Sequence, residues 1–144
     1  VVTAASDGRP LHTKYIAGSI TTYSLQNSGY QIYSFDRALP RANLVDDYQQ
    51  FWLDIAAANA NNDTSAWTQP RMAARAQYGM PDLSPTSWID LAGRLRNDTA
   101  LFTNWVRNRY KGVGGDQDGV NADACFLASC DAAAYDRCVR EYGA

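Results

Sequence analysis

The chain has 144 residues, of which 46% are apolar and 19% charged, and its formal net charge is −2. These values fit one compact globular domain and exclude a long disordered chain. Lys14 and Lys111 are the two lysines and no basic stripe is visible, so a nucleic-acid partner is not indicated. No apolar run reaches the length of a bilayer span, so no transmembrane segment is predicted.

The first forty residues predict β-structure. Residues 14–23 mix Tyr, Ile and Thr, and residues 30–36 alternate in polarity, so we predict a strand, a turn at Asn27-Ser28-Gly29 and a second strand. Residues 47–59 fit a helical stripe and a strand face equally well, and periodicity alone does not decide between them. Residues 56–62 lose this pattern and are predicted to be a polar loop.

The rest of the chain predicts helices. Thr68 is predicted to cap a short helix that ends at Tyr78, before Gly79 and Pro81. Ser84-Pro85 is typical of a helix start, because a capping hydroxyl precedes proline at the first helical position. One apolar face of that helix is then formed by Trp88, Leu91, Ala92 and Leu95.

Two more helices are predicted towards the C-terminus. A break at Asn97-Asp98 precedes a helix whose inward residues are Leu101, Phe102, Trp105 and Val106. Residues 112–123 are predicted to be a loop, and residues 132–142 a last short helix. The arginines at positions 94, 96, 107 and 109 are predicted to lie on solvated helix faces. Because the strands precede the helices, the sequence predicts an α+β fold.

Two features of the sequence indicate secretion. Asn62-Asp63-Thr64 and Asn97-Asp98-Thr99 both fit the N-glycosylation acceptor pattern. The three cysteines, Cys125, Cys130 and Cys138, lie within fourteen residues of an otherwise cysteine-free chain, which is typical of a disulfide staple. Three free thiols in a cytosolic protein are the alternative. In a secreted protein the odd count leaves one cysteine over, whose partner would lie outside this chain.

The residues alone do not predict a catalytic cluster. His12 is the one histidine, and a catalytic triad or a zinc site would need partners that the sequence does not place around it, so a strand edge is the simpler position. Residues 114–123 carry oxygen ligands at calcium-loop spacing. Gly114 and Cys125 nevertheless occupy the two end-ligand positions, so a flexible surface loop is predicted instead. Trp88 and Trp105 are predicted to pack in the core.

Four segments in order resemble a known family. "YIAGSITTYSLQNSGYQIYSFD", "DYQQFWLDIAAAN", "YGMPDLSPTSWIDLAGRLRNDTALFTNWVRNRYKG" and a short cysteine-rich tail resemble the C-terminal part of acid sphingomyelinases and sphingomyelinase-like phosphodiesterases. These are calcineurin-like metallophosphoesterases, and the resemblance runs from about Tyr15 to Cys138. It implies that residues 1–60 are the last strands of a metallophosphoesterase sheet. Residues 61–144 would form a helical C-terminal subdomain with a cysteine-containing tail.

The resemblance also implies an activity that this chain would not perform by itself. Enzymes of the family bind two zinc ions through His, Asp and Asn ligands that lie upstream of the segments matched here. The chain is therefore expected to be a C-terminal fragment of a secreted or lysosomal phosphodiesterase acting on a phospholipid or related phosphoester. Its expected partner is the N-terminal metallophosphoesterase portion of the same protein. A stand-alone secreted module that binds lipid or protein without catalysis is the alternative.

Individual residues receive roles only through the resemblance. Tyr23 matches a tyrosine at the edge of the two-metal site and is expected to contact the substrate phosphate, with Thr22 as a weaker candidate. A strand-end tyrosine that packs on Tyr30 or Ile32 is the alternative. The resemblance further implies a strand over residues 49–55. It also implies a disulfide between Cys130 and Cys138, which leaves Cys125 free or bonded outside the chain.

Overall fold

The computed structural model describes residues 2–3, 10–22, 26–38, 45–113, 119–129 and 131–143. Strands occupy the first half of the chain and helices most of the second, which confirms the α+β class. The strands are β1 (Val2–Thr3), β2 (Pro10–His12), β3 (Gly29–Phe35), β4 (Val45–Trp52) and β5 (Met72–Ala73). The α-helices are α1 (Ile55–Asn61), α2 (Ala74–Tyr78), α3 (Pro85–Asn97), α4 (Thr99–Arg109), α5 (Val120–Ala128) and α6 (Ala132–Tyr142), with a 3₁₀ turn at Ser65–Thr68.

The main sheet is antiparallel, in the order β3-β4-β5, and β1 pairs separately with β2. Gly29 lies opposite Trp52 at one end of the β3–β4 pair, and Phe35 lies opposite Val45 at the other. Residues 47–52 of the ambiguous segment are thus in a strand, which agrees with the strand over residues 49–55 that the resemblance implied except at residues 53–55, and residues 55–59 are helical. The strand begins at Val45 and ends at Trp52, because Asp54 caps the helix that follows.

The predicted first strand of the hairpin is wrong for the residues that the structure describes. Residues 13–22 form no strand, although they run beside the start of β3. One backbone bond, from Gly29 N to Ser19 O at 3.0 Å, connects the two segments. Ile16 and Ile20 are 67% and 69% exposed, so β-forming side chains alone did not produce a strand here.

Two helices occupy segments that were predicted to be loops. Helix α1 forms where residues 56–62 were expected to be irregular, because the Asp54 carboxylate accepts from Ala57 N at 3.0 Å and the alanines that follow favour helix. Helix α5 begins at Val120, inside the predicted loop 112–123, and it buries Ala124 and Cys125. Residues 114–118 of that loop lie outside the described residues.

The predicted helix from Thr68 to Tyr78 is wrong over its first half. Arg71 N donates to Gln50 O at 2.8 Å, and Met72 pairs with Gln50, so the sheet takes up these residues as β5. Only the last turn and a half is helical, as α2, and it ends at Gly79 with φ +56. That glycine stop agrees with the prediction.

Helices α3, α4 and α6 confirm the helices predicted for these segments. The Ser84 hydroxyl accepts from Ser87 N, and the Asp98 carboxylate accepts from Leu101 N at 2.9 Å. The predicted apolar face of α3 is buried and joins one core with β4 and α2. The buried members of this core are Tyr48, Met72, Ala74, Tyr78, Met80, Leu83, Trp88, Leu91 and Leu95. Of the helices that the structure describes, none is long and apolar enough to cross a membrane.

The disulfide differs from the predicted Cys130–Cys138 pair. Cys125 of α5 bonds Cys138 of α6, with their Cα atoms 5.6 Å apart. Asn121 Nδ2 donates to Tyr142 O at 2.8 Å, so the two helices run antiparallel in a register that sets Cys138 opposite Cys125. Cys125 is therefore not the free cysteine, and Cys130 lies outside the described residues.

Two arginines that were predicted to be solvated are half-buried. Arg94 Nη2 donates to Tyr78 O at 2.6 Å and thereby holds the end of α2 against α3. Arg96 Nη2 lies 3.6 Å from Cys125 Sγ and 3.5 Å from Cys138 Sγ, beside the disulfide. Arg107 is exposed, as predicted.

Alanine substitution should have opposite effects on the free energy of unfolding at Gly112 and at Gly93. A Cβ on Gly112 would lie 2.4 Å from Trp52 Nε1 at φ +85, so Gly112→Ala should lower the free energy of unfolding by about 2 kcal/mol. Gly93 lies inside α3, and a Cβ added there would have no atom within 4 Å. Gly93→Ala should therefore raise the free energy of unfolding by about 0.5–1 kcal/mol, because alanine favours helix more than glycine does. Chemical denaturation of the two variants checks both signs. Equal effects would contradict the packing of Gly112 on Trp52.

Candidate functional site

The segment that the resemblance connects with the substrate is only partly within the described structure. Residues 19–22, called the hydroxyl loop below, end directly before Tyr23, which lies outside the described residues. Thr21 and Thr22 are exposed. Thr21 N donates to Ser19 Oγ at 3.0 Å, and Ser28 Oγ donates to Ile20 O at 2.5 Å. The loop is thus internally bonded and tied to the turn before β3, while its threonines face solvent.

The carbonyl of Ser19 fixes the base of the hydroxyl loop. It accepts from Gly29 N at 3.0 Å and from Lys111 Nζ at 3.2 Å. Gly29 is required for this approach, because a Cβ there would lie 2.7 Å from Phe51 O and 2.8 Å from Lys111 Cδ. The Lys111 side chain therefore passes over Gly29 to reach Ser19. Any residue larger than glycine at position 29 would displace the Lys111 side chain or the backbone of Phe51.

Lys111 follows helix α4 and is 4% exposed. Its carbonyl accepts from Asn27 Nδ2 at 2.9 Å, while Asn27 Oδ1 accepts from Ile55 N at 3.1 Å. Asn27 thus joins the turn before β3 to the end of α4 and to the start of α1. Burial lowers the pKa of the Lys111 ammonium, because the charged form loses its hydration.

An aromatic cavity of about 440 Å³ lies behind the hydroxyl loop. Tyr15 stands at its centre, with ring centroids 5.6 Å from Tyr33, 6.1 Å from Tyr48 and 6.2 Å from Trp88. The remaining aromatic lining is formed by Tyr78, Trp105, Tyr110 and Phe126. Lys14, Arg109 and Lys111 also line the cavity, and its lining residues include no carboxylate, although Arg109 pairs with the buried Asp123 of α5.

The phenols of the cavity are suited to packing and hydrogen bonding. Burial raises the pKa of Tyr15, Tyr33 and Tyr48, and it raises the pKa of Tyr78 well above its usual range. The Tyr15 hydroxyl donates to Leu83 O at 3.2 Å. These hydroxyls stay protonated at ordinary pH, so they are not general bases.

The match to known proteins covers nearly the whole chain. A family model described as "Acid sphingomyelin phosphodiesterase C-terminal region" matches residues 10–144. The chain belongs to this family. The resemblance read from the sequence is thereby confirmed, and the matched range includes the hydroxyl loop, the aromatic cavity and the helical hairpin of α5 and α6.

Curated relatives of the family are longer than this chain. The chain is 36% identical over 104 residues to sphingomyelin phosphodiesterase 2 of Caenorhabditis elegans, which covers 72% of the chain and 17% of the relative. It is 35% identical over 105 residues to sphingomyelin phosphodiesterase of Bos taurus, with 72% and 17% coverage. It is 34% identical over 105 residues to sphingomyelin phosphodiesterase of Homo sapiens, with 72% and 16% coverage. The chain therefore spans about a sixth of the length of these relatives.

The described residues of this family member do not fit a zinc centre. No group of three or more His, Cys, Asp or Glu side chains able to hold a metal ion occurs among them. His12 is exposed at the end of β2, where its backbone pairs with Val2. This position agrees with the strand edge predicted for it.

The two predicted glycan acceptors are exposed. Asn62 follows the last residue of α1 in a left-handed conformation with φ 51, and Asn97 is the last residue of α3. Asn97 Nδ2 donates to Gly93 O at 3.0 Å, a bond that a glycan would have to replace. Glycosylation at either position stays a prediction.

The burial of polar residues was not predicted from the sequence; among the described residues these are Asn27, Gln50, Asn108, Lys111 and Asp123. Gln50 Nε2 donates to Asn108 O at 2.8 Å, and Asn108 Nδ2 donates to Tyr78 Oη at 3.0 Å. Gln50 lies two residues from the buried Tyr48 and two from the buried Trp52 along β4, so the three side chains share one face of the strand. The two-residue period of a strand could therefore have predicted that Gln50 is buried. Lys111 gave no such signal, because its burial depends on contacts with Ser19 and Gly29, which are distant in sequence.

Proposed function

We propose that the chain is the C-terminal portion of a metal-dependent phosphodiesterase that hydrolyses sphingomyelin or a related phosphoester. The family match over residues 10–144, with relatives named as sphingomyelin phosphodiesterases, carries this proposal. Residues 1–60 would supply the last strands of the metallophosphoesterase domain, and residues 61–144 would form its helical C-terminal subdomain. The parent protein is the enzyme, and the 144-residue chain alone is inactive.

The chain's contribution to the substrate site is a wall that ends in the hydroxyl loop. Thr22 and Tyr23 would face the phosphate of the substrate, and the exposed threonines of the described loop support that placement. The zinc ions would be held by the N-terminal portion, since the described residues offer no metal-binding group. Substrate positioning is thus the role proposed for this chain.

The N-terminal portion of the same protein is the proposed partner. Strand β3 is at the edge of the three-stranded sheet, and Ile32 and Phe35 on it are 52% and 66% exposed. Ile16 and Ile20 add to this apolar surface from the neighbouring segment. An exposed strand edge with large apolar side chains is unfavourable in water and is normally covered.

Secretion or delivery to a lysosome-type compartment is part of the proposal. The Cys125–Cys138 disulfide supports an oxidising folding environment, and the exposed Asn62 and Asn97 can accept glycans there. Treatment of native material with a glycosidase should increase its electrophoretic mobility. Unchanged mobility would count against glycosylation at both positions.

Two assays test the proposed function. The full-length protein and the 144-residue chain are each incubated with zinc on sphingomyelin and on a chromogenic phosphodiester. Turnover by the full-length protein alone is expected. Metal-dependent turnover by the isolated chain would contradict the assignment of the metal ligands to the N-terminal portion. No turnover by the full-length protein on any phosphodiester would contradict the proposed activity.

The aromatic cavity favours one alternative function. The cavity has a volume of about 440 Å³ and is lined by seven aromatic residues in addition to Tyr15, so it could hold an apolar ligand. The chain would then be a binding module without catalysis. The coding sequence upstream of Val1 distinguishes the two proposals. A metallophosphoesterase region there favours the enzyme, whereas a start codon and signal peptide immediately before Val1 favour the module.

A further inference from the structure

Lys111 is a buried cation whose charge is not neutralised by the part of the chain that the structure describes. Its side chain is almost fully enclosed, and no carboxylate of the described residues pairs with the ammonium. The described bond of Nζ goes to a neutral group, the Ser19 carbonyl at 3.2 Å. Burial of an unpaired ammonium is unfavourable compared with an apolar side chain of the same length. Among the described contacts, the charge of Lys111 therefore forms no ion pair that would offset its burial.

The contacts of Lys111 converge on the hydroxyl loop. Its aliphatic stem passes Gly29 and Gly18, where a Cβ would lie 2.8 Å and 3.8 Å from Cδ, and the ammonium ends at Ser19 O. Ser19 in turn holds Thr21 N through its hydroxyl. A continuous set of contacts thus joins the end of helix α4 to the exposed threonines.

We propose that Lys111 is a positioning residue, which fixes the Ser19 carbonyl and so sets the conformation of the hydroxyl loop. This inference rests on the proposed phosphodiesterase function, because that function places the loop at the substrate. Lys111 does not contact substrate in this proposal. It acts through Ser19, and its ammonium is retained at a cost in stability because a charged donor restrains the carbonyl more strongly than a neutral one.

The main test uses Lys111→Met in the full-length protein. Methionine keeps the length of the stem and removes the charge and the donors. Hydrogen exchange at the Thr21 and Gly29 amides should rise about 10-fold or more, the range for a lost hydrogen bond to a charged group. The kcat on sphingomyelin should fall by about the same factor with KM little changed, since a misplaced loop affects the transition state more than binding. The midpoint of thermal unfolding should not fall, because the buried charge is removed.

Arg107→Met is the matched control. It removes one positive charge four residues before Lys111, from a side chain that is exposed on α4. Exchange in the hydroxyl loop, kcat and the unfolding midpoint should all remain as in the unmodified protein. Lys111→Gln, which keeps neutral N–H donors, should give an intermediate increase in loop exchange and is the second variant if Lys111→Met does not accumulate.

Several results would overturn the inference. Unchanged exchange at Thr21 and Gly29 in both Lys111 variants would show that the ammonium does not hold the loop. Increased exchange with unchanged kcat would show that the restraint has no role in turnover. A lower unfolding midpoint with increased exchange throughout the chain would make Lys111 a structural residue. If the unmodified full-length protein hydrolyses no phosphodiester, the proposed function fails, and the exchange data still decide whether Lys111 holds the loop.

Discussion

Replacement of Cys138 by serine should lower the free energy of unfolding by about 3 kcal/mol and release helix α6. The Cys125–Cys138 disulfide spans 13 positions, and closure of a loop of that size in the unfolded chain accounts for an effect of about this magnitude. Chemical denaturation measures the loss of stability. Limited proteolysis should detect cleavage after residue 128 before any cleavage in the core.

Helix α6 depends on the disulfide because the rest of its packing is weak. None of its described residues is fully buried, whereas α5 buries Ala122, Ala124 and Cys125. Its other described contacts include the Asn121–Tyr142 hydrogen bond and the Arg96 guanidinium, which lies 3.9 Å from the centre of the Tyr142 ring. These contacts are worth about 1 kcal/mol each, so α6 should separate locally before the core unfolds.

Cys130→Ser is the control for this pairing. It removes the remaining cysteine and should leave both the Cys125–Cys138 bond and the unfolding midpoint unchanged. Peptide mapping under non-reducing conditions checks the bond directly. If Cys130→Ser abolished the disulfide while Cys125→Ser preserved it, the pairing of Cys130 with Cys138 that the resemblance implied would be right after all.

Helices were predictable where their ends carry local chemical signals. Ser84-Pro85 begins α3 and Asp98 begins α4, and in both cases the capping side chain accepts the expected backbone N–H. Such bonds form within four residues, so the sequence contains nearly all the information that they need. The α+β class was predicted from the order of strands and helices, and the helix predicted over residues 132–142 is α6.

The wrong predictions concern segments whose conformation depends on distant residues. Residues 71–73 have a helical composition, but Gln50 recruits them to the sheet through backbone bonds. Residues 14–22 have strand-forming side chains, but one bond to Gly29 does not make a ladder. Tertiary contacts overrode the local preference in both cases, as is common for weak propensities.

The candidate site likewise combines residues that a sequence motif indicated with residues that only the fold brings together. Thr22 and Tyr23 were proposed through the resemblance, which rests on short segments that follow one another in sequence order. Lys111 and the aromatic cavity were not found, because they combine residues from the segment before β3, the sheet and helices α3 to α5. A lysine beside a glycine looks like an ordinary surface residue until the fold buries it against Gly29 and Ser19.

Tyr23→Phe in the full-length protein should lower kcat on sphingomyelin by about 10- to 1000-fold, the range for loss of one oxyanion donor. The proposed reason is that the phenol donates to a non-bridging phosphate oxygen whose negative charge grows in the transition state. The described residues before it are held in place, since Ser19 O accepts from two donors and Ile20 O accepts from Ser28 Oγ. Phenylalanine keeps the aromatic ring and removes only the hydroxyl, so KM should change little.

Tyr30→Phe provides the matched control, because it removes the same hydroxyl from a residue outside the loop. The Tyr30 hydroxyl donates to Trp67 O at 3.0 Å and its ring stacks on Phe51 at 4.7 Å, so its loss should cost about 1 kcal/mol of stability and leave kcat unchanged. Tyr23→Phe should show the reverse pattern, with a reduced kcat, normal metal content and an unchanged unfolding midpoint. A Tyr23→Phe protein with full activity, or one whose stability falls as its activity does, would instead assign Tyr23 to packing at the end of the loop.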